Sequence, residues 1–116
     1  MSTFEELTYW NKAKELTLLI YEIMQDVKDF GFKDQIQRAS VSIMNNIAEG
    51  SEFGSPLGFV KYLNIARGSC AEVRSMLYLC KDLGYCSEEQ MIHLIDISRF
   101  VSSAIYNHIK YLKKLQ

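Results

Sequence analysis

The chain has little that breaks a helix: one proline, Pro56, and six glycines among 116 residues. That scarcity argues against many short strands joined by turns and for a few long helices. Cysteine is sparse and odd in number, with Cys70, Cys80 and Cys86 and no C-x-x-C pair. The pattern speaks against a disulfide framework or a zinc site and for a reducing compartment, so a cytoplasmic location is expected. No run approaches the roughly 18 apolar residues of a membrane span. The opening Met1-Ser-Thr-Phe-Glu-Glu lacks the basic and apolar regions of a signal peptide.

Catalytic signatures are missing as well. The sequence has no G-x-S-x-G, H-E-x-x-H, P-loop or dinucleotide glycine fingerprint. Its two histidines, His93 and His108, fall on one expected helix about 22 Å apart, too far to share a metal. No E-x-x-H occurs, which excludes the di-iron set of carboxylate bundles. No catalytic residue, metal, cofactor or small-molecule substrate is therefore expected, and the chain should work by binding macromolecules and not as an enzyme.

What is present fits a folded protein, with 48% hydrophobic and 23% charged residues. The length suits a single domain over 1–116. Net charge is −1, whereas free-standing nucleic-acid binders are usually basic. The charge is uneven, however. Residues 4–30 carry three Lys and six acids, while residues 55–85 carry four Lys or Arg and two acids. A local basic surface is compatible with the acidic total.

Punctuation and period give four helices. Thr3 and Glu6 form a capping-box pattern for the first, with an apolar stripe Leu7, Trp10, Ala13, Leu16, Ile20, Ile23, Val27 and Phe30, and Gly31 as its stop. Asp34 suits the cap of the second, whose buried side runs Ile36, Ser40, Ile43 and Ile47 to near Gly50. Ser55-Pro56 starts the third, and its seam is Phe59, Leu63, Ala66, Cys70, Val73, Leu77, Cys80 and Gly84. Ser87 and Gln90 box the fourth, with the seam Met91, Leu94, Ser98, Val101, Ile105, His108, Leu112 and Leu115. Short connections make the neighbours antiparallel, so the expected fold is an all-α, up-down-up-down four-helix bundle. On this seam His108 reads as a hydrogen-bonded core histidine, Cys70 and Cys80 as inert core thiols, and Cys86 as a more exposed one.

Two stripes lie off the seams. On the third helix, Asn64, Arg67, Ala71, Arg74, Tyr78 and Lys81 share a face, with Lys61 near its start. Cations interleaved with an aromatic suit a phosphate backbone or an acidic partner, so Lys61, Arg67, Arg74, Tyr78 and Lys81 are the candidate nucleic-acid or partner contacts. On the second helix, Gln35, Arg38, Ser42, Asn45 and Glu49 make a polar stripe with few charges, as at a partly buried edge or a subunit contact. Off-seam tyrosines are numerous, and self-association is the simplest partner hypothesis.

The stretch Arg38-Ala-Ser-Val-Ser-Ile-Met-Asn-Asn-Ile-Ala-Glu-Gly50 resembles the signature R-A-x-x-S-I-x-x-N-I-A-E-G of the proteins encoded in intervening sequences of bacterial 23S rRNA genes. Phe4 to Tyr21, Phe59 to Glu72 and Leu83-Gly84-Tyr85 resemble its flanking motifs. The resemblance implies an antiparallel four-helix bundle that assembles as a homopentamer. A related branch, the accessory variability protein of diversity-generating retroelements, binds a reverse transcriptase and nucleic acid, which makes RNA or a nucleic-acid enzyme the implied partner. The motif positions carried over by resemblance are Gln35, Arg38, Asn46, Glu49, Gly50, Ser69 and Glu72, as structural or subunit-contact residues. Here Glu52 and Phe53 follow A-E-G, where many relatives are basic.

Overall fold

The computed structural model describes residues 3–115; Met1, Ser2 and Gln116, at the limits of the expected domain, lie outside them. A short 3-10 turn at Phe4–Glu6 precedes four helices, α1 Thr8–Met24, α2 Phe30–Glu52, α3 Pro56–Asp82 and α4 Glu88–Lys113. α1 and α3 each pack on both α2 and α4 and lie diagonally across the bundle from one another. The rod measures 46 × 20 × 20 Å. This is the all-α, up-down-up-down bundle that the sequence pattern implies. Among the described residues no helix is long and apolar enough to cross a membrane.

Local chemistry fixes most boundaries. Ser55 accepts from Gly58 N with Pro56 in the first turn, and Ser87 and Gln90 form the full capping box. Two expected boundaries are wrong. The Thr3 side chain caps nothing, and Leu7 is extended between the 3-10 turn and α1. α1 ends at Met24, not at Gly31, because Asp29 caps α2 by accepting from Phe32 N at 3.2 Å. Gly31 therefore lies in the first turn of α2, and Asp34 pairs with Arg38 one turn on at 2.9 Å. Val27 thus lies outside α1, and Phe30 opens α2 with 70% of its surface exposed. Gly84, expected on the α3 seam, sits beyond the helix with φ 79°, a turn conformation that a side chain would strain. Leu115 follows α4 and is exposed.

The core follows the seams, with Leu16, Ile20, Ile36, Ile43, Ile47, Leu63, Leu77, Leu94 and Ile105 essentially sealed from water. One side-chain hydrogen bond crosses each pair of neighbouring helices. Thr17 Oγ1 reaches Ser40 O on α2 at 3.2 Å, and Ser42 Oγ meets Ser69 Oγ on α3 at 2.9 Å. Ser98 Oγ on α4 donates to Cys70 O on α3 at 3.3 Å, and Tyr9 Oη lies 2.6 Å from His108 Nδ1. Burial raises the Tyr9 phenol well above its ordinary value, so its hydroxyl donates and Nδ1 accepts. His108 is the hydrogen-bonded histidine that its seam position implies. Phe59, with its ring centroid 5.0 Å away, helps to screen it from water.

Gly50 governs the approach of α2 to α3. A Cβ there would fall 2.8 Å from both Phe59 Cδ1 and Tyr62 Cβ. Tyr62 Cβ is anchored to the backbone, so the clash could be relieved only by parting the helices. Gly68, in the middle of α3, has nothing within 4 Å of the same position.

Gly50→Ala should lower stability by about 1–3 kcal/mol through overpacking, while Gly68→Ala should raise it by about 0.5–1 kcal/mol through lower backbone entropy in the unfolded chain. Urea unfolding of the two variants beside the parent checks the opposite signs. Burial also pushes His108 below its ordinary value of 6.5. A base that titrates lower in the fold than in the unfolded chain contributes stability above that ordinary value, and the contribution is lost as pH falls through the folded value. The urea midpoint should therefore drop from about pH 7.5 to about pH 5.5, and His108→Gln should flatten that part of the profile.

Candidate functional site

α3 separates two grooves of different character. On its α2 side, Gln35, Arg38, Ser42, Ser69 and Glu72 border an open polar depression of about 500 Å³. The Ser42–Ser69 bond forms part of its floor, and Asn46 Nδ2 backs it by donating to Ser42 O at 2.8 Å and Oγ at 3.1 Å. Gln35, Arg38 and Glu72 remain exposed on the rim, Asn45 and Glu49 are exposed further along α2, and Ser42 and Asn46 are half-buried. The motif positions thus divide. Gly50, Asn46 and Ser69 act inside the bundle, and Gln35, Arg38, Glu49 and Glu72 face outward.

On the α4 side the groove is cationic. Arg67 and Arg74 are half-buried along α3. Arg67 Nε and Arg74 Nη1 are shut off from solvent and meet no acceptor. Neither arginine has a carboxylate in ion-pair range: among the described residues the pairs are Lys12–Glu15, Arg38–Asp34 and Lys81–Asp82. Arg67 Cζ instead lies 5.0 Å from the centroid of the Tyr106 ring on α4, and Lys110 Nζ lies 5.5 Å from the same centroid. Arg67, Ser102, Ser103, Tyr106 and Asn107 line an open depression of about 390 Å³, and no acid is among them.

The structure therefore keeps part of the expected cationic stripe together. Arg67, Arg74 and Tyr78 follow the α4-facing flank of α3, with Tyr78 half-exposed. Lys81 lies on the same flank and is 3.8 Å from its neighbour Asp82. Lys61 stands apart, because helical geometry turns it about 120° around α3 from Arg67. The α4 half of the groove escaped the sequence reading, which followed only the apolar seam of α4. The signal was present as Ser102, Ser103, Tyr106, Asn107 and Lys110, a polar edge one step from Val101 and Ile105.

The thiols offer no nucleophile. Burial pushes Cys70 up to about 11 and Cys80 up to about 12, so both stay protonated at neutral pH. Cys86 is half-buried against the core, more exposed than Cys70 and Cys80, as its place in the turn implies. Among the described residues no group of three His, Cys, Asp or Glu side chains is placed to hold a metal ion.

The model of the 23S rRNA-intervening sequence protein family matches residues 5–107. The chain belongs to that family. A crystal structure of a protein with unknown function from the S23 ribosomal protein family of Bacteroides thetaiotaomicron is similar to it throughout, at 27% identity and a TM-score of 0.82. The similarity covers 89% of this chain and 99% of that one. No curated protein matches the chain. The glycine of the A-E-G stretch, Gly50, is where an added side chain would meet Phe59 and Tyr62 of α3.

Two half-sunk guanidiniums without carboxylates contribute little to the fold, since each unmet buried donor costs about 1–3 kcal/mol. Arg74→Met, which keeps the aliphatic stem and removes the donors, should leave stability unchanged or raise it by up to about 2 kcal/mol. A clear loss of stability by urea titration would mean that Arg74 serves the fold.

Proposed function

We propose that this member of the 23S rRNA-intervening sequence family is a non-catalytic, self-assembling scaffold whose α3–α4 face binds RNA. The observation that carries the reading is the pair Arg67 and Arg74, half-buried on the α4 flank of α3 with no carboxylate in ion-pair range among the described residues. Guanidinium forks match phosphate oxygens in charge and geometry. The half-exposed rings of Tyr78 and Tyr106 beside them suit the flat faces of unpaired bases. Self-assembly, five copies by resemblance to the family, draws support from the outer face of α3. There Ile65 and Leu79 are half-exposed on either side of Gly68 and Ser75, so another copy could approach closely. Repeating the groove around an assembly would add weak phosphate contacts along one strand.

A structural or adaptor role is favoured by one observation, the open polar rim of Gln35, Arg38 and Glu72, which carries both signs of charge as subunit contacts do. In that reading the arginines also lie between subunits and meet acids of a neighbour.

One experiment separates the two. RNA retention at low salt should weaken about tenfold or more between about 50 and 200 mM monovalent salt. Arg67→Glu with Arg74→Glu should abolish it while light scattering after size exclusion still reports the parental assembly. Loss of the assembly would assign the arginines to subunit contacts, and no retention by the unaltered protein would end the RNA reading.

A further inference from the structure

The α4 half of the groove gives the α3–α4 site a sharper chemical preference than a basic surface has. Arg67 and Lys110 converge from different helices on one ring, that of Tyr106. Each cation lies against that ring, so Tyr106 links Arg67 on α3 to Lys110 on α4. Around Arg67 lie only neutral donors, the hydroxyls of Ser102 and Ser103 and the amide of Asn107. Among the described residues no carboxylate pairs with Arg67, so its charge is not neutralised within the protomer. Arg67 thus lines an open depression with several neutral hydrogen-bond donors and no acid, and Lys110 lies against its Tyr106 wall.

From this convergence we infer that the Arg67–Tyr106–Lys110 depression is a site for a phosphate monoester: the terminal phosphate of a nucleic-acid strand, or a free nucleotide. The inference rests on the RNA reading for its biological setting but not for its chemistry. An internal phosphodiester carries one charge and two substituents. A terminal phosphate carries close to two charges at neutral pH and three oxygens open to donors. Arg67 and Lys110, both set against the Tyr106 ring, match the second better, with Arg67 engaging two oxygens side by side. Lys110 supplies a point charge, and Ser102, Ser103 and Asn107 can reach the remaining oxygen. Arg74, further along α3, is placed to meet the following backbone phosphate.

The test uses the full chain and paired probes. Fluorescence anisotropy compares one oligoribonucleotide carrying a 5′-phosphate with the same strand carrying a 5′-hydroxyl, and calorimetry compares adenosine 5′-monophosphate with adenosine. The phosphorylated strand should bind about tenfold tighter or more, a difference that one charge-assisted bidentate contact can supply. Arg67→Gln and Lys110→Gln should each collapse that preference, while Lys28→Gln, which removes an equal charge elsewhere, should keep it. Circular dichroism shows that each variant retains its helices. Equal affinity for the two strands, or a preference that survives both groove variants, overturns the terminal-phosphate site and leaves the RNA reading standing. Binding of the monophosphate without either strand supports the site and removes the RNA reading. A phosphorylated strand that binds more tightly than the monophosphate assigns the site to a strand end.

Discussion

Everything on the surface of this bundle is arranged by how closely α2 and α3 pass at Gly50. Phe59 and Tyr62 occupy the space where any other side chain would project. That proximity brings Ser42 and Ser69 into direct contact two turns away from Gly50 on α2. It also fixes the rotation of α3 about its own axis. Once that rotation is set, one flank of α3 must present Ser69 and Glu72 to α2, and the other must present Arg67 and Arg74 to α4. The grooves follow from a packing constraint in which neither arginine takes part.

The interior is held by apolar side chains and by short polar ones that bond across helices without bringing charge inside. Thr17, Ser40, Ser69 and Ser98 are all buried. Their hydroxyls find backbone or hydroxyl partners, so their burial carries little penalty. Ionised groups are kept at the margins. The core needs none of the arginines. A chain with net charge −1 can still present cations locally, since the acids gather near α1 and at the start of α4.

Much of this was legible in the residues. Ser55-Pro56 and Ser87 with Gln90 marked two helix starts that the backbone adopts, because a cap is a local hydrogen bond and needs no tertiary knowledge. The seams of α3 and α4 agreed with burial nearly residue for residue. Thr3 misled, since a capping box requires the backbone to continue as a helix, and Leu7 interrupts it. Gly31 misled for a different reason: the pattern fits the end of one helix or the first turn of the next, and Asp29 decides between them. The arginine stripe was readable from spacing alone. Its α4 partners were not, because which residue of α4 faces Arg67 depends on the stagger of two helices, and Tyr106 gains meaning only across that gap.

The Tyr9–His108 bond has a consequence for how the chain reaches this shape. The other three neighbour contacts join helices that follow one another in sequence, so each can form as a hairpin soon after its halves appear. Tyr9 and His108 are separated by 99 positions. Their meeting closes the largest loop in the molecule, and the entropy lost in closing it is recovered only when α1 lies down against both partners. The Tyr85 hydroxyl, donating to Asp29 at 2.8 Å, ties the two connections at the opposite end and shortens that search. The seam between α1 and α4 should therefore be the last to close and the first to part.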